Sequence, residues 1–370
     1  DWKEFYYTNC PLISASNVDQ ELGWVKEEFK KIDVAYKYLR STRENDWYPH
    51  YIHNLDNLMR FGGCNPAIHV QADIRRTRLI GATHVYEGGV MMVRARDPIY
   101  RMKHLKGKKI GLSKSLNVIK NDWWRIQEHQ GIELMLMLND MTMKDVEIVE
   151  FPYPDDWYDK PEMLTPMENP NEYQLKRDHK HDLAFRPLET ALEKGVIDAM
   201  YSQSKVLSVL SEATAKFKSI EDLSRYPDWT LQGANVPATL TVTDVACKEH
   251  PELIVALLKG LIKVGRWANE HKRAACAILN KQTYYLDEED TYEGIRRVDM
   301  VPSLSLRNLQ SLQINKDCMV KNGYIEHDFD VFEWAAPEFL EQAAEEPVEE
   351  QWKKTTTSKL PEAAAPLASG

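Results

Sequence analysis

Short apolar runs punctuated by glycine, such as Leu79-Ile80-Gly81-Ala82, Gly89-Val90-Met91-Met92-Val93 and Thr239-Leu240-Thr241-Val242-Thr243, alternate along this chain with stretches of helical periodicity. Runs of this kind suit strands buried on both faces, and a strand–helix alternation packs as an α/β fold with mixed, mostly parallel sheets flanked by helices. Ligands in such folds bind at the C-terminal ends of strands or between lobes. At 370 residues and 42.9 kDa the chain is too long for one small core. A turn near Gly107 and a return near Gly233 divide it into a first lobe of 1–108 and 233–343, an inserted second lobe of 109–232, and a disordered tail at 344–370.

In order along the chain, Phe5 to Tyr7 reads as a strand leading to Cys10-Pro11, and the proline as the start of a helix running to Gly23-Trp24. That start puts Cys10 close to a helix N-terminus, where a thiolate is favoured. Ile32 to Tyr36 reads as a second strand. After the strand at Ile110, helices are expected from about Ser115, carrying Trp123-Trp124, and from Ile132 to Met137. Phe151 to Arg177 is Pro-rich and charged, a long excursion from the core. A helix from Pro187 to Glu193 stops at Gly195 before a strand ending at Ser202. Pro251 to Ala268, with Leu253, Leu257, Leu261 and Val264 spaced by three and four, is an amphipathic helix.

Charge excludes some partners. Lys+Arg 47 against Asp+Glu 57 gives a net charge of -10, the reverse of what a nucleic acid or an anionic membrane surface rewards. No apolar run reaches the 18 or so residues of a membrane span. The cysteines Cys10, Cys64, Cys247, Cys276 and Cys318 form no CxxC pair and no metal-type spacing with histidine. An odd number of scattered thiols in a long chain reads as reduced and hence cytoplasmic, although the start at Asp1 leaves a removed leader open.

Chemistry concentrates around Arg60-Phe61-Gly62-Gly63. Arg60 offers a forked cation, the two glycines let a ligand approach the backbone, and His50 lies ten positions earlier. A small anion with two oxygens fits that set. Cys10, in Tyr7-Thr8-Asn9-Cys10-Pro11, is a candidate thiol partner. Each piece has an ordinary reading as well, a surface cation before a turn or a small buried thiol. His53, His69 and His84 form no i,i+4 pair and no HExxH run, and His179 and His181 lie in a charged loop, so these read as structural or solvated histidines.

With these residues collected, the sequence resembles the 2'-hydroxybiphenyl-2-sulfinate desulfinase family of dibenzothiophene desulfurisation. The resemblance runs in ordered blocks: Tyr7-Thr8-Asn9-Cys10-Pro11, Arg60-Phe61-Gly62-Gly63, Arg78-Leu79-Ile80-Gly81, Leu105-Lys106-Gly107-Lys108-Lys109-Ile110-Gly111, Asp198-Ala199-Met200-Tyr201-Ser202, Trp267-Ala268-Asn269-Glu270-His271 and Trp334-Ala335-Ala336-Pro337-Glu338-Phe339-Leu340. It implies a two-lobed, type II periplasmic-binding-protein-like fold with the ligand between the lobes. It places the family's essential cysteine on Cys10, its histidine on His50, its arginine on Arg60, and the glycine whose backbone faces the sulfinate on Gly63. Trp123 or Trp124 falls near the family's pocket-gating tryptophan. The chain departs from the family in carrying extra residues between Cys10 and His50 and a longer, more charged stretch from Phe151 to Arg177.

The resemblance thus implies a cofactor-free desulfinase that cleaves the C–S bond of a small aromatic sulfinate with water. Arg60, His50 and Gly63 would hold the anion, and Cys10 would serve as proton donor or nucleophile. Phe61, Asn9, Ser113, Trp123, Trp124 and Tyr201 are the further candidates for substrate contact, with N-capping or core packing as their plainer roles. No metal or organic cofactor is required, and a monomer is the default, since such folds enclose the ligand within one chain. Two alternatives keep the same fold: a decarboxylase or other lyase acting on an aromatic carboxylate, and a non-catalytic sulfonate- or nitrate-type solute-binding protein.

Overall fold

The structure, a computed structural model, describes residues 2–41, 47–85, 88–156, 166, 187–203, 214–231, 236–283, 285 and 287–344. The tail expected at 344–370, apart from its first residue, and most of the Phe151 to Arg177 excursion lie outside them, as do His179 and His181.

Two five-stranded sheets carry the chain. The first is built from β1 (Glu4–Asn9), β2 (Ala35–Tyr38), β3 (Leu58–Gly62), β4 (Thr77–Thr83) and a late strand, β10 (Ala238–Thr243), in the order β2-β1-β3-β10-β4. The second contains β5 (Val90–Arg94), β6 (Lys109–Ser115), β7 (Glu147–Tyr153), β8 (Ala199–Ser202) and β9 (Phe217–Asp222), in the order β7-β6-β8-β5-β9. β1 runs parallel to both its neighbours, whereas β10 is antiparallel to β3 and β4. The second sheet repeats this plan, with β5 as the antiparallel strand. Both sheets are thus mixed, as the alternation of strands and helices implied. A division at residue 108 assigns β5 to the first lobe, yet β5 hydrogen-bonds β8 and β9 in the second sheet. The chain crosses before Val90, and the glycine turn at Gly107 lies within the second lobe.

Several element ends differ from the sequence expectation for identifiable reasons. α1 (Ala15–Leu22) does not start at Pro11: Ser14, in extended geometry, caps it by accepting from the Asn17 amide. Cys10 therefore sits at the end of a strand, ahead of the helix, with its amide donating to the Phe61 carbonyl. α2 (Trp24–Lys30) follows directly, with Asp19 accepting from the amides of Trp24 and Val25. α3 (Pro49–Ile52) is a single turn, and α4 (Cys64–His69) begins just after β3. α5 (Trp123–Leu138) is one unbroken helix rather than two, because Ser115 is still paired with Tyr153 in the sheet and Asp122 supplies the cap. Gly131 survives inside it because the Tyr201 ring occupies the space a side chain would need.

Helix Pro251–Glu270 packs under the first sheet as its period dictates, burying Leu253, Leu257, Leu261 and Val264 at about 2 kcal/mol each. Among the described residues no helix is long and apolar enough to cross a membrane.

Candidate active site

Strand alternation decides which side chains meet. On β3, Met59 and Phe61 point into the first-lobe core, which leaves Arg60 and Gly62 to share the opposite face. β1 lies beside β3 with Thr8 opposite Arg60 and Asn9 opposite Phe61, so Thr8 and Cys10 fall on the same side as Arg60. The one-turn helix α3 lays His50 across them.

The result is a connected cluster. Cys10 Sγ lies 3.2 Å from His50 Nε2, and Thr8 Oγ1 lies 2.9 Å from His50 Nδ1. Arg60 Nε donates to the His50 carbonyl at 2.7 Å and Nη1 to the Gly63 carbonyl at 2.9 Å. Arg60 is only 1% exposed, yet among the described residues no carboxylate pairs with it and its Nη2 has no hydrogen-bond partner. A buried guanidinium without a counterion costs several kcal/mol, so the site is built to receive an anion. Gly62 shows where. A Cβ there would collide with Cys10 Sγ and stand 3.2 Å from Arg60 Nη2, so the missing side chain lets the thiol pack against the Gly62 backbone, beside the guanidinium where an anion would bind. α4 starts beside it at Cys64 with no side chain capping its first turn.

Burial, and then the neighbouring Arg60 and His53, hold His50 well below the usual imidazole range, so it is neutral at neutral pH. Its ring is stacked on Trp47, with centroids 5.4 Å apart, and meets Tyr51 edge-on at 4.9 Å. Tyr38, Trp47 and Tyr51 form an aromatic cluster against which Tyr7 and Trp123 pack. An anion seat beside a wall of rings suits an aryl group carrying a small oxyanion.

The residues singled out in the sequence separate on this basis. Cys10, His50, Arg60 and Gly63 come together, with Gly63 acting through its carbonyl to orient Arg60. Asn9, the last residue of β1, is buried beside Cys10 and both its amide atoms lack a partner among the described residues. Phe61, expected to touch substrate, instead packs in the core, and its contribution is the carbonyl that holds the Cys10 amide. Ser113 is engaged by Glu128, through both its hydroxyl at 2.9 Å and its amide at 2.7 Å. Tyr201 fills the second-lobe core between Gly89 and Gly131 and donates to Gln203. Of the two tryptophans, Trp123 joins the cluster around His50, whereas Trp124 donates to Glu128.

Thr8, Trp47 and Tyr51 were not singled out, although Thr8 lies two positions before Cys10 and the two aromatics flank His50. Burial raises Cys247 to about 12 and Cys276 and Cys318 to about 11, which leaves these thiols unreactive. No group of three or more metal-ligating side chains occurs among the described residues.

No protein-family model matches the chain. Curated proteins do: the 2'-hydroxybiphenyl-2-sulfinate desulfinase of Rhodococcus erythropolis is 24% identical over 360 residues, covering 90% of this chain and 92% of the relative, and that of Rhodococcus qingshengii matches equally. The chain is thus similar to these desulfinases over nearly its whole length. Among solved structures, a variant of the desulfinase DszB in complex with biphenyl-2-sulfinic acid superposes with a TM-score of 0.67 at 20% identity, covering 92% of this chain and 99% of that one. The periplasmic sulfonate-binding protein SsuA of Methylobacillus flagellatus KT gives 0.65 at 16%, covering 95% and 96%. Desulfinase and binding protein share with this chain a two-lobed, periplasmic-binding-protein-like α/β fold.

Proposed function

We propose that this protein is a desulfinase that cleaves the C–S bond of a small aromatic sulfinate, releasing the arene and sulfite without a cofactor. The observation that carries the proposal is the buried Arg60, without a carboxylate partner among the described residues, beside the Cys10 thiol that packs against Gly62. The desulfinase relatives support it, since their name describes this reaction.

A sulfinate spreads one negative charge over two oxygens, and one of them would accept from Arg60 Nη2 in a dry site where such a bond is strong. The rest of the guanidinium is already fixed by the His50 and Gly63 carbonyls, so little side-chain freedom is lost on binding. The aryl ring would lie against Trp47, Tyr51 and Trp123. Water supplies the atoms of the reaction: the ring carbon gains a proton as the C–S electron pair returns to it, and sulfur dioxide takes up water to leave as bisulfite.

Charge counting assigns Cys10 its role. Arg60 is the cation beside Cys10, whereas Arg40 lies over Trp47 and Lys120 is paired with Asp155, and His50 is neutral. The bound sulfinate uses up that charge, so a thiolate beside it would be a second, uncompensated anion. Cys10 therefore stays a thiol and gives its proton to the ring carbon, and water restores that proton through His50. Attack of a Cys10 thiolate on sulfur would require two anions on one guanidinium.

Incubating the protein with aryl sulfinates and the matching aryl carboxylates, while following sulfite and carbon dioxide, tests the reading. Sulfite from the sulfinates alone supports it. Carbon dioxide without sulfite would make the protein a decarboxylase, and intact ligand recovered from both series would make it a binding protein.

A further inference from the structure

His50 is delivered by a helix that cannot hold itself. α3 has four residues and no side-chain cap, far below the length at which a helix persists alone. His53, which ends it, is in the left-handed region at φ 49°. Both rings that pack on His50, those of Trp47 and Tyr51, belong to this segment or its flank. The first lobe ties the segment down at its ends, with Arg60 on the His50 carbonyl, Thr8 at His50 Nδ1 and Arg75 on the His53 carbonyl, and the other lobe presses on its outer aromatic side. Residues 115–122, the loop between β6 and α5, reach across: Asn117 Nδ2 donates to the Tyr48 hydroxyl at 3.1 Å, and Lys120 Nζ sits 5.1 Å from the centre of the Tyr51 ring. Trp123, the first residue of α5, completes the contact against the same aromatic cluster.

The loop is itself fixed before it reaches across. Lys120 pairs with Asp155 at 2.5 Å, with the two side chains 1% and 5% exposed. Asp155 also accepts from the Ser115 hydroxyl, Asn117 Nδ2 donates to the Asp155 carbonyl, and Asp122 accepts from the Ser115 amide. An ion pair buried this deeply adds little net stability, because desolvation offsets attraction, so its value lies in placing the ammonium over Tyr51. The anion seat depends on the loop less directly, since Arg60 and Gly62 stand on β3 and Cys10 follows β1, with the His50 backbone carbonyl as the one link from α3 to Arg60.

We propose that Asn117 and Lys120 are positioning residues: seating the second lobe's 115–122 loop on α3 fixes His50 against Cys10, so the active site is complete only when the lobes are docked. The kinetic part rests on the desulfinase reading, whereas the placement of His50 does not. Two variants test it. Lys120→Met with Asp155→Asn removes both charges together, and asparagine tolerates the left-handed φ of 51° at 155 and can still accept from Ser115. Tyr48→Phe removes a single oxygen and with it the Asn117 bond.

In variants that keep the wild-type circular dichroism and melting cooperativity, three quantities are measured. They are sulfite release, the dissociation constant of inorganic sulfite, and the rate at which iodoacetamide alkylates Cys10, read by mass on its peptide. We expect kcat to fall about ten-fold or more in the double variant and about three-fold in Tyr48→Phe, as small misplacements of a reacting group do. The sulfite constant should stay within about two-fold, and the Cys10 alkylation rate should change at least about three-fold as its His50 contact loosens. A Cys10 alkylation rate equal to wild type in both variants overturns the proposal whatever kcat does. Absence of sulfite release from wild type would remove the desulfinase reading and leave the alkylation result to decide the placement of His50.

Discussion

Gly62→Ala separates stability from catalysis at this site. Gly62 is the last residue of β3, in an extended conformation that alanine adopts freely, so the backbone gains about 0.5–1 kcal/mol from reduced freedom in the unfolded chain. Against that, the new methyl would overlap Cys10 Sγ and press on Arg60 Nη2 at 3.2 Å and Cζ at 3.3 Å. Relieving the overlap takes a rotation of the cysteine side chain by about 1 Å, an overpacking cost of roughly 1–3 kcal/mol. The net is a destabilisation of about 0–2.5 kcal/mol, and the melting temperature should fall by only a few degrees. Activity has no such compensation. The methyl takes the place of the Cys10 thiol and displaces it, and an error of about 1 Å in a reacting group costs about 100-fold, so kcat/KM should fall by that factor or more. The assays are thermal unfolding and sulfite release on the same preparation. Sulfite release within about three-fold of wild type from a well-folded Gly62→Ala protein would refute the claim that the thiol acts from its place against Gly62, beside Arg60.

Thr8→Val, nearly the same shape, removes the partner of His50 Nδ1 and should lower kcat by about 10- to 100-fold with the melting temperature little changed, while Thr8→Ser stays near wild type; equal rates for valine and serine would deny the hydroxyl a role. Arg60→Lys keeps the charge but loses the bonds to the His50 and Gly63 carbonyls, and should cost about 100-fold in kcat/KM, checked against the binding of benzenesulfonate, which should weaken in parallel. Acidification should destabilise the fold. Burial holds His53 down at about 4 and His84 at about 3, and His50 well below its ordinary value, so between about pH 6.5 and 4 the unfolded chain takes up protons at these imidazoles that the native chain refuses. Asp19, raised by burial to about 7, acts in the opposite sense, binding in the native state a proton that the unfolded chain releases above 3.8. Burial also lowers His69 and His129 and raises Asp122, so five imidazoles stand against two carboxyls, stability falls on net as pH falls, and Asp19→Asn should steepen it; a melting temperature that is flat or rises from pH 7 to 4.5 would contradict this.

How much of the fold and the site was legible in the sequence depends on which signals are local. Helix Pro251–Glu270 was plain, because its apolar period and its N-terminal proline lie in one stretch. Cys10, His50 and Arg60 were legible as residue types with chemistry, and the ordered blocks tied Cys10 to Arg60. Phe61 was misplaced for want of register: the period of two puts Arg60 with Gly62, but only the pairing of β1 with β3 shows which face is the core. Ser113 and Tyr201 looked available because their partners, Glu128, Gly89 and Gly131, are distant in sequence or carry no side chain. The start of α1 went to the more visible Pro11 over Ser14, whose capping bond to the Asn17 amide is the stronger determinant. The crossing between sheets before Val90 has no local signature, since β5 reads like any buried strand and only its partners place it.

The measurement that bears most directly on the central claim is sulfite release from an aryl sulfinate in deuterated water by wild type and by Cys10→Ser, with the arene examined by mass. A thiol that protonates the ring carbon requires sulfite from wild type with one deuterium in each arene, and a loss of about 100-fold or more in the serine variant, whose hydroxyl is a far weaker acid. Sulfite release by Cys10→Ser at the wild-type rate would contradict it.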